Sequence, residues 1–390
     1  MRITFYSLPA HGHINPTLGV VKTLVEHGHQ VTYYSIHQFR DKITSHGATF
    51  KAYELPHINL QHISPNSIEL LTLLMKITLH LLPQLTKEID KTKPTCIIHD
   101  SFALWGWILS RYFKIPAINS VTTFVLTPLI LKRFILHGPG KNLLTNIPSL
   151  ITTLRLKRTI SKNYHVPIKL LNTILNAEKL NIVYTVKELQ PLSETLDNSY
   201  KFVGPSITRK EGAGDFPIDK LQGIVIYISL GTVRNKRVDF FKNCIEAFRE
   251  THYSIVMSIG KNIDPSELGD IPSNFIVRKY VPQIEILKRA SLFITHGGMN
   301  STHEGLYFRV PLLLFPQTPE QRLVSVRVQK VGCGEILEGE GPSPFIIKEY
   351  ARLILENDSY KKNAEKLSYV FKNAGGEKRA AKEIEEFCKG

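Results

Sequence analysis

Short apolar runs alternate with longer helical patterns along this chain, and that alternation limits the folds open to it more than any other feature. Residues 3–7 (ITFYS) are an apolar run, LPAHGHINPTLG follows, and a helical pattern extends from Pro16 to His27. Leu18, Val21, Leu24 and Val25 fall on one side of it, and Gly28 is its stop signal. Asn15 ahead of Pro16 has the chemistry of an N-cap followed by proline at the first helical position. The strand-like QVTYYS comes next, so the chain opens as strand, turn, helix, strand, the beginning of a parallel α/β sheet. The same unit predicts strands at Cys96–His99, Ala117–Asn119, Ile182–Tyr184 and Lys201–Val203. Across residues 205–223 Gly, Pro and mixed charge concentrate, as in an interdomain linker. The pattern then restarts with strands at Val225–Ser229, Ile255–Ser258, Phe275–Val277, Leu292–Thr295 and Leu312–Phe315, and helices such as Val238–Arg249 and Glu320–Lys330.

A chain of 390 residues is enough for two ordinary domains. The expected organisation is an α/β domain over 1–204, a linker over 205–223 and a second α/β domain over 224–374, with a helix at about 375–390 packing back on the first. Two such halves predict a cleft faced by the carboxyl ends of their parallel strands.

Composition narrows the class further. With 24 Gly, 22 Pro and 43% hydrophobic residues, disorder and collagen-like repeats are excluded. The four cysteines, Cys96, Cys244, Cys333 and Cys388, are scattered without a CxxC pair, which excludes a disulfide scaffold. The first residues lack the apolar stretch of a signal peptide, and no run of about 20 uncharged apolar residues is present. A cytoplasmic protein with reduced thiols is expected. Lys and Arg exceed Asp and Glu by 15, and the surplus is uneven. From Ser101 to Ala177 there is no acidic residue and there are ten basic ones, among them Arg111, Lys114, Arg155, Arg158 and Lys162. Such a stretch is either a solvated basic face or a contact for anionic lipid; no helix-turn-helix, zinc or RNP-like pattern accompanies it, so nucleic acid is not expected.

The second half offers two glycine-rich strand exits, where backbone N–H groups and a helix dipole favour anions. One is ISLGTVRN, with Gly231 and Thr232 and the basic Arg234 nearby. The other is FITHGGMNSTHEG, where a strand runs straight into His296, Gly297, Gly298, Asn300 and Ser301. Two such turns suit a diphosphate. Neither reads as GxGxxG or GxxxxGK[ST], so dinucleotide and P-loop readings have no basis. Glu304 shares a helix face with Asn300, one turn deeper, where a carboxylate repels phosphate but accepts from a pair of hydroxyls such as those of a ribose. In PQTPEQ, residues Gln317, Glu320 and Gln321 add hydroxyl-binding groups at the next strand exit. In the first half, His11 and His13 sit between strand and helix. A histidine there is a candidate general base, and Asp100, ending the strand CIIHD, is the candidate carboxylate to orient it. His99 is a further candidate, weighed against a core role. There is no HExxH and no DxD to hold a divalent ion, so no metal site is expected.

HGHINPTL at 11–18, CIIHD ending at Asp100, ISLGT at 228–232, YVPQIEIL at 280–287 and HGGMNSTHEGLYFRVPLLLFPQTPEQ at 296–321 resemble, in order and over essentially the whole chain, the nucleotide-sugar-dependent glycosyltransferases of the macrolide and plant natural-product type, in their bacterial macrolide branch. The resemblance implies a GT-B fold of two facing Rossmann-like domains, the first binding acceptor and the second UDP-sugar. It implies inverting, metal-independent transfer with His13 as base and Asp100 as its partner. Tyr280 then matches the ring stacked on uracil, Val281 supplies backbone bonds to the base, and Gln283 belongs to the nucleoside pocket. His296, Asn300 and Ser301 match diphosphate ligands, Glu304 the ribose ligand and Gln321 the sugar-hydroxyl ligand. Glu320 replaces the Asp that precedes this Gln in plant relatives, and Arg234 stands where bacterial relatives often carry an aromatic residue.

The expected function is O-glycosylation, by UDP-glucose or another UDP-hexose, of a hydrophobic small molecule such as a macrolide, flavonoid or other phenolic. Phe102, Trp105, Trp107, Phe124 and the segment Leu60–Leu85 supply apolar surface for it. No tightly bound cofactor is implied, and a monomer or weak dimer is expected. Transfer to a membrane lipid is the nearest rival reading, followed by a UDP-sugar epimerase or hydrolase and by a non-catalytic UDP-sugar sensor.

Overall fold

A computed structural model describes residues 1–55, 67–130, 147–169, 176–207, 216–231 and 235–389. Within it the chain divides into two compact units, Met1–Thr208 with Ala374–Gly390, and Arg209–Asn373. The first unit runs β1 (Arg2–Tyr6), α1 (His11–Glu26), β2 (Gln30–Ser35), α2 (Arg40–Thr44), β3 (Thr49–Ala52), α3 (Ser67–Thr92), β4 (Cys96–Asp100), α4 (Leu104–Tyr112), β5 (Ala117–Val121), α5 (Ile147–Tyr164), β6 (Asn181–Val183) and β7 (Tyr200–Phe202). Its seven strands make one sheet in the order β3-β2-β1-β4-β5-β6-β7, with every pairing parallel. β4 and β5 are buried at every position because helices cover both faces of a parallel sheet, which is why they read as unbroken apolar runs and not as alternation.

Helix α1 starts one turn earlier than the Asn15-Pro16 signal suggests. The Ala10 carbonyl accepts from the N–H groups of both His13 and Ile14 at 3.0 Å, so the turn containing both histidines is already helical. Pro16 lies inside the helix, where the one hydrogen bond lost is the bond it has no N–H to make to Gly12. Asn15 accepts from the Lys42 ammonium instead of capping. Helix α3 is long and apolar enough to cross a membrane by length and composition alone. Met75, Ile77, Leu81, Leu82 and Leu85 bury it in the core of this unit.

The second unit runs β8 (Val225–Ser229), α6 (Val238–Phe248), β9 (Ser254–Ser258), β10 (Phe275–Arg278), α7 (Gln283–Leu287), β11 (Leu292–Thr295), α8 (Met299–Tyr307), β12 (Leu312–Leu314), α9 (Pro319–Lys330), β13 (Gly334–Ile336), α10 (Pro344–Glu356) and α11 (Asp358–Asn373). Six parallel strands lie in the order β10-β9-β8-β11-β12-β13. Stacked rings, Phe240 on Phe315 at 4.4 Å and Tyr227 on Phe293 at 4.7 Å, fill the two faces of the sheet. Thr318 and Ser343 cap α9 and α10, each followed by proline at the helix start, where a missing N–H costs nothing. The last helix, α12 (Gly376–Lys389), belongs to the first unit: Ala380, Ala381 and Ile384 join the core cluster of Ile3, Leu18 and Leu24.

Each sheet reverses its direction of strand addition at one place, between β1 and β4 in the first unit and between β8 and β11 in the second. Outside the carboxyl ends of the strands at such a point, the connections diverge to opposite faces and leave a crevice for a ligand. His13 and Asp100 fall at the first of these points and Gly231, His296, Gly298, Asn300 and Ser301 at the second, whereas Tyr280, Val281 and Gln283 follow β10, and Glu320 and Gln321 follow β12.

Candidate active site

In the first unit His13 stands in the first turn of α1, directly after β1, and Asp100 ends the adjacent β4. The His13 Nδ1 lies 2.8 Å from Asp100 Oδ2. The carboxylate is 2% exposed, so its charge is met by donors and not by water. Three donors supply it: the imidazole, the Phe102 backbone N–H to Oδ1 at 2.8 Å, and the Thr122 hydroxyl to Oδ2 at 3.0 Å. Thr122 follows β5, and its oxygen is also 2.9 Å from His13 Nδ1. With Nδ1–H donating to the carboxylate, Nε2 is the basic nitrogen of the ring. The Phe102 ring meets the imidazole edge-on at 5.5 Å and limits its rotation. This is a histidine held in one tautomer and orientation, able to take a proton from a hydroxyl and to share the resulting positive charge with Asp100.

The other first-half histidines serve elsewhere. His11 packs edge-on against Phe39 at 4.8 Å. His99 precedes Asp100 in the strand and so points to the opposite face of the sheet, fully buried, with Nε2 3.0 Å from Glu178. Burial raises the Glu178 carboxyl, but His99 and Arg111 more than offset this and hold it below the usual range. Arg111 in turn lies over the Trp107 ring at 4.2 Å. Trp105 is wholly buried and donates to the Tyr53 hydroxyl, so neither tryptophan offers acceptor surface; both are core. Of the segment Leu60–Leu85, residues 60–66 lie outside the described residues.

In the second unit the turn after β8 and the turn after β11 leave neighbouring strands. The His296 ring fills the space between them. A Cβ added at Gly231 would meet it at 2.7 Å, and one at Gly298 at 2.4 Å, and Gly231 also has a φ of +77°. Burial lowers the His296 pKa to about 4, partly countered by its hydrogen bond to the Ser229 carbonyl, so the ring is neutral at physiological pH. Gly298 is the N-cap residue of α8, and Asn300 and Ser301 stand in the first turn, where backbone N–H groups have no intrahelical acceptor. Glu304 lies one turn on. The Gln283 side-chain amide donates to its carboxylate, and the Gln283 carbonyl accepts from the buried Tyr227 hydroxyl at 2.8 Å. Gln283 opens α7, with its backbone N–H on the Val281 carbonyl, and Tyr280 before it is 62% exposed, a ring face open to stacking. Gln321 turns its side-chain carbonyl back to the Gln317 N–H at 2.8 Å, while Glu320 is exposed in the first turn of α9. Thr232 and Arg234 lie outside the described residues.

Three residues of these sites escape a reading of the sequence: Thr122, Tyr227 and Asn235. Asn235 donates to the Gly231 carbonyl at 3.0 Å and accepts from Asn262, bracing the turn after β8. A polar residue just past a strand end was the available signal for Thr122; the buried Tyr227 hydroxyl gave none.

A family model described as erythromycin biosynthesis protein CIII-like, C-terminal domain, matches residues 243–376. The chain is 36% identical over 397 residues to the uncharacterised UDP-glucosyltransferase YojK of Bacillus subtilis strain 168, covering 99% of this chain and 97% of that protein. It is 34% identical to the NDP-glycosyltransferase YjiC of the same strain, with the same coverage. The crystal structure of the glycosyltransferase of kitacinnamycin superposes with a TM-score of 0.88 at 26% identity, over 99% of this chain and 98% of that one. Two doubly wound parallel sheets of this form are the GT-B fold of glycosyltransferases. The chain belongs to the GT1 family of macrolide-type glycosyltransferases, and it is an enzyme of that class.

Proposed function

We propose that this enzyme transfers a hexose, with glucose the first candidate, from a UDP-sugar to a hydroxyl of a hydrophobic small molecule such as a macrolide, a flavonoid or another phenolic. The observation that carries the reading is the 2.8 Å contact between His13 Nδ1 and the buried Asp100 carboxylate, which leaves Nε2 as the base. The acceptor oxygen attacks the anomeric carbon as its proton passes to Nε2. The bond from that carbon to the diphosphate oxygen breaks on the opposite side, so an α-linked donor yields a β-glycoside. Tyr280 stacks on the uracil with Val281 beside it, and Glu304, held by Gln283, accepts from the ribose hydroxyls. Asn300, Ser301, His296 and the turns at Gly231 and Gly298 meet the diphosphate, and Glu320 and Gln321 meet the sugar. The charge that develops on the departing diphosphate is thus received by helix N–H groups and side chains. No DxD is present in the sequence, and turnover is expected to persist in excess chelator.

The test is His13→Ala, assayed by mass spectrometry over a panel of phenols and macrolides with several UDP-sugars. Turnover should fall by roughly 10²–10⁴-fold, the usual worth of a general base, with the dissociation constant for UDP nearly unchanged. A variant as active as the parent would remove His13 from the chemistry.

A further inference from the structure

Helix α5 carries apolar side chains on two faces. Toward α3 it presents a hydroxyl: the Thr153 side chain, fully buried, is 2.7 Å from the Thr72 hydroxyl, which also reaches the Ser149 carbonyl. On that side Ile160 is fully buried, and Leu156 and Tyr164 pack against the same core. Away from the core, Ile147, Ile151 and Leu154 are 59%, 43% and 47% exposed, and their spacing sets them in one stripe. The inner face is already supplied by Leu156, Ile160 and Tyr164, so packing within the unit does not account for this second, outward stripe.

The stripe continues along the same face as cations. Arg155, Arg158 and Lys162 are exposed, and among the described residues none of them forms an ion pair with a carboxylate. Nearby sequence supplies no acid either, since 101–177 contains neither Asp nor Glu. Exposed aliphatic residues leading into unpaired arginine and lysine have the pattern of a helix lying in the plane of a lipid interface. A solvated basic face would have no use for the aliphatic stripe, and a purely apolar partner would have none for the charges.

We propose that this face of α5 docks the enzyme on anionic lipid. Ile147, Ile151 and Leu154 enter the boundary between headgroups and acyl chains, while Arg155, Arg158 and Lys162 pair with the headgroup phosphates. The inference stands on the surface of the first unit alone and is independent of the assignment of His13.

The experiment is co-sedimentation of the full chain with vesicles of phosphatidylglycerol and phosphatidylcholine, and with vesicles of phosphatidylcholine alone, alongside turnover of a water-soluble phenol. Binding to the anionic vesicles should be roughly tenfold or more above the neutral ones and should weaken as salt rises. Arg155→Glu with Arg158→Glu should bring it down to the neutral level. Ile151→Ser with Leu154→Ser should reduce it several-fold, and both double variants should keep the parent's turnover of the soluble acceptor. Anionic binding that is the same in the parent and both variants would overturn the proposal, because the charge of the whole chain would then account for it. Variants that leave vesicle binding intact but raise KM for a hydrophobic acceptor would equally overturn it, by making the stripe an acceptor surface.

Discussion

Asp100 is the residue on which the first-unit site turns, and its three donors make separate, measurable contributions. Asp100→Asn cannot balance an imidazolium, so it should lose most of the rate with the fold retained. Thr122→Val removes a hydrogen bond to a buried carboxylate, worth about 1.5–3 kcal/mol, so stability to urea should fall by about that much while UDP affinity holds. Its pH–rate profile carries a sharper signature. A carboxylate with one donor fewer holds the imidazolium more tightly, so the acidic limb should move to higher pH, and Thr122→Ser should restore it. A second residue-scale effect concerns stability. Burial lowers His303, edge-on to Phe371 at 5.3 Å, to about 3, and His296 to about 4. An unfolded histidine titrates near 6.5, so as pH drops below that value the unfolded chain takes up protons that the folded one refuses. The second unit should therefore lose stability between pH 7 and 5, by roughly 2–4 kcal/mol from these two groups, with His303 the larger because His296 keeps some surface exposed. Urea unfolding followed at both pH values checks it, and a flat profile would show that neither ring is shielded from protonation.

At the scale of elements, strand exits carry the design. The two glycines flanking His296 are required by the ring itself, and Gly298→Ala should push the imidazole out of place. We expect UDP affinity to fall by tenfold or more with the melting temperature little changed, as measured by calorimetry; unchanged affinity would place the diphosphate elsewhere. These exits were legible in the sequence, because an apolar run ending in His-Gly-Gly or Leu-Gly-Thr admits few other structures. His13 and Asp100 were legible for a similar reason, His13 in the first turn of the helix after β1 and Asp100 at the end of β4. What was not legible lies across the sheet. Thr122 reaches His13 over 109 positions and Tyr227 reaches Gln283 over 56, and no local pattern records which strand exits become neighbours. The start of α1 was misjudged because Asn-Pro is a strong local signal, whereas the Ala10 carbonyl that overrides it is anonymous in sequence. The tryptophans of α4 show the opposite limit: large apolar residues next to a site look like ligand surface until packing shows them filled by Tyr53 and Arg111.

At the scale of the whole molecule, the chain leaves the first unit, completes the second and comes back. The returning helix contributes more than coverage, since Glu385 accepts from His27 at 2.8 Å and from His29 at 2.9 Å, joining α12 to the end of α1 and the start of β2. Removing residues 374–390 should therefore strip amide protection from β1, α1 and β2 and leave the second unit's exchange pattern and UDP affinity as they were, a contrast that hydrogen-exchange mass spectrometry resolves. Loss of protection in both units would mean that they unfold as one. The same return has a consequence for biosynthesis. A ribosome delivers the strands of the first sheet early and the helix that seals its core only after residues 209–373 have been made. At about 5–20 residues per second, Ile3, Leu18 and Leu24 wait about 20–70 seconds for Ala380, Ala381 and Ile384. The half that is translated first is thus the half that matures last, and during that interval its uncovered face is the part of the nascent chain most in need of a chaperone.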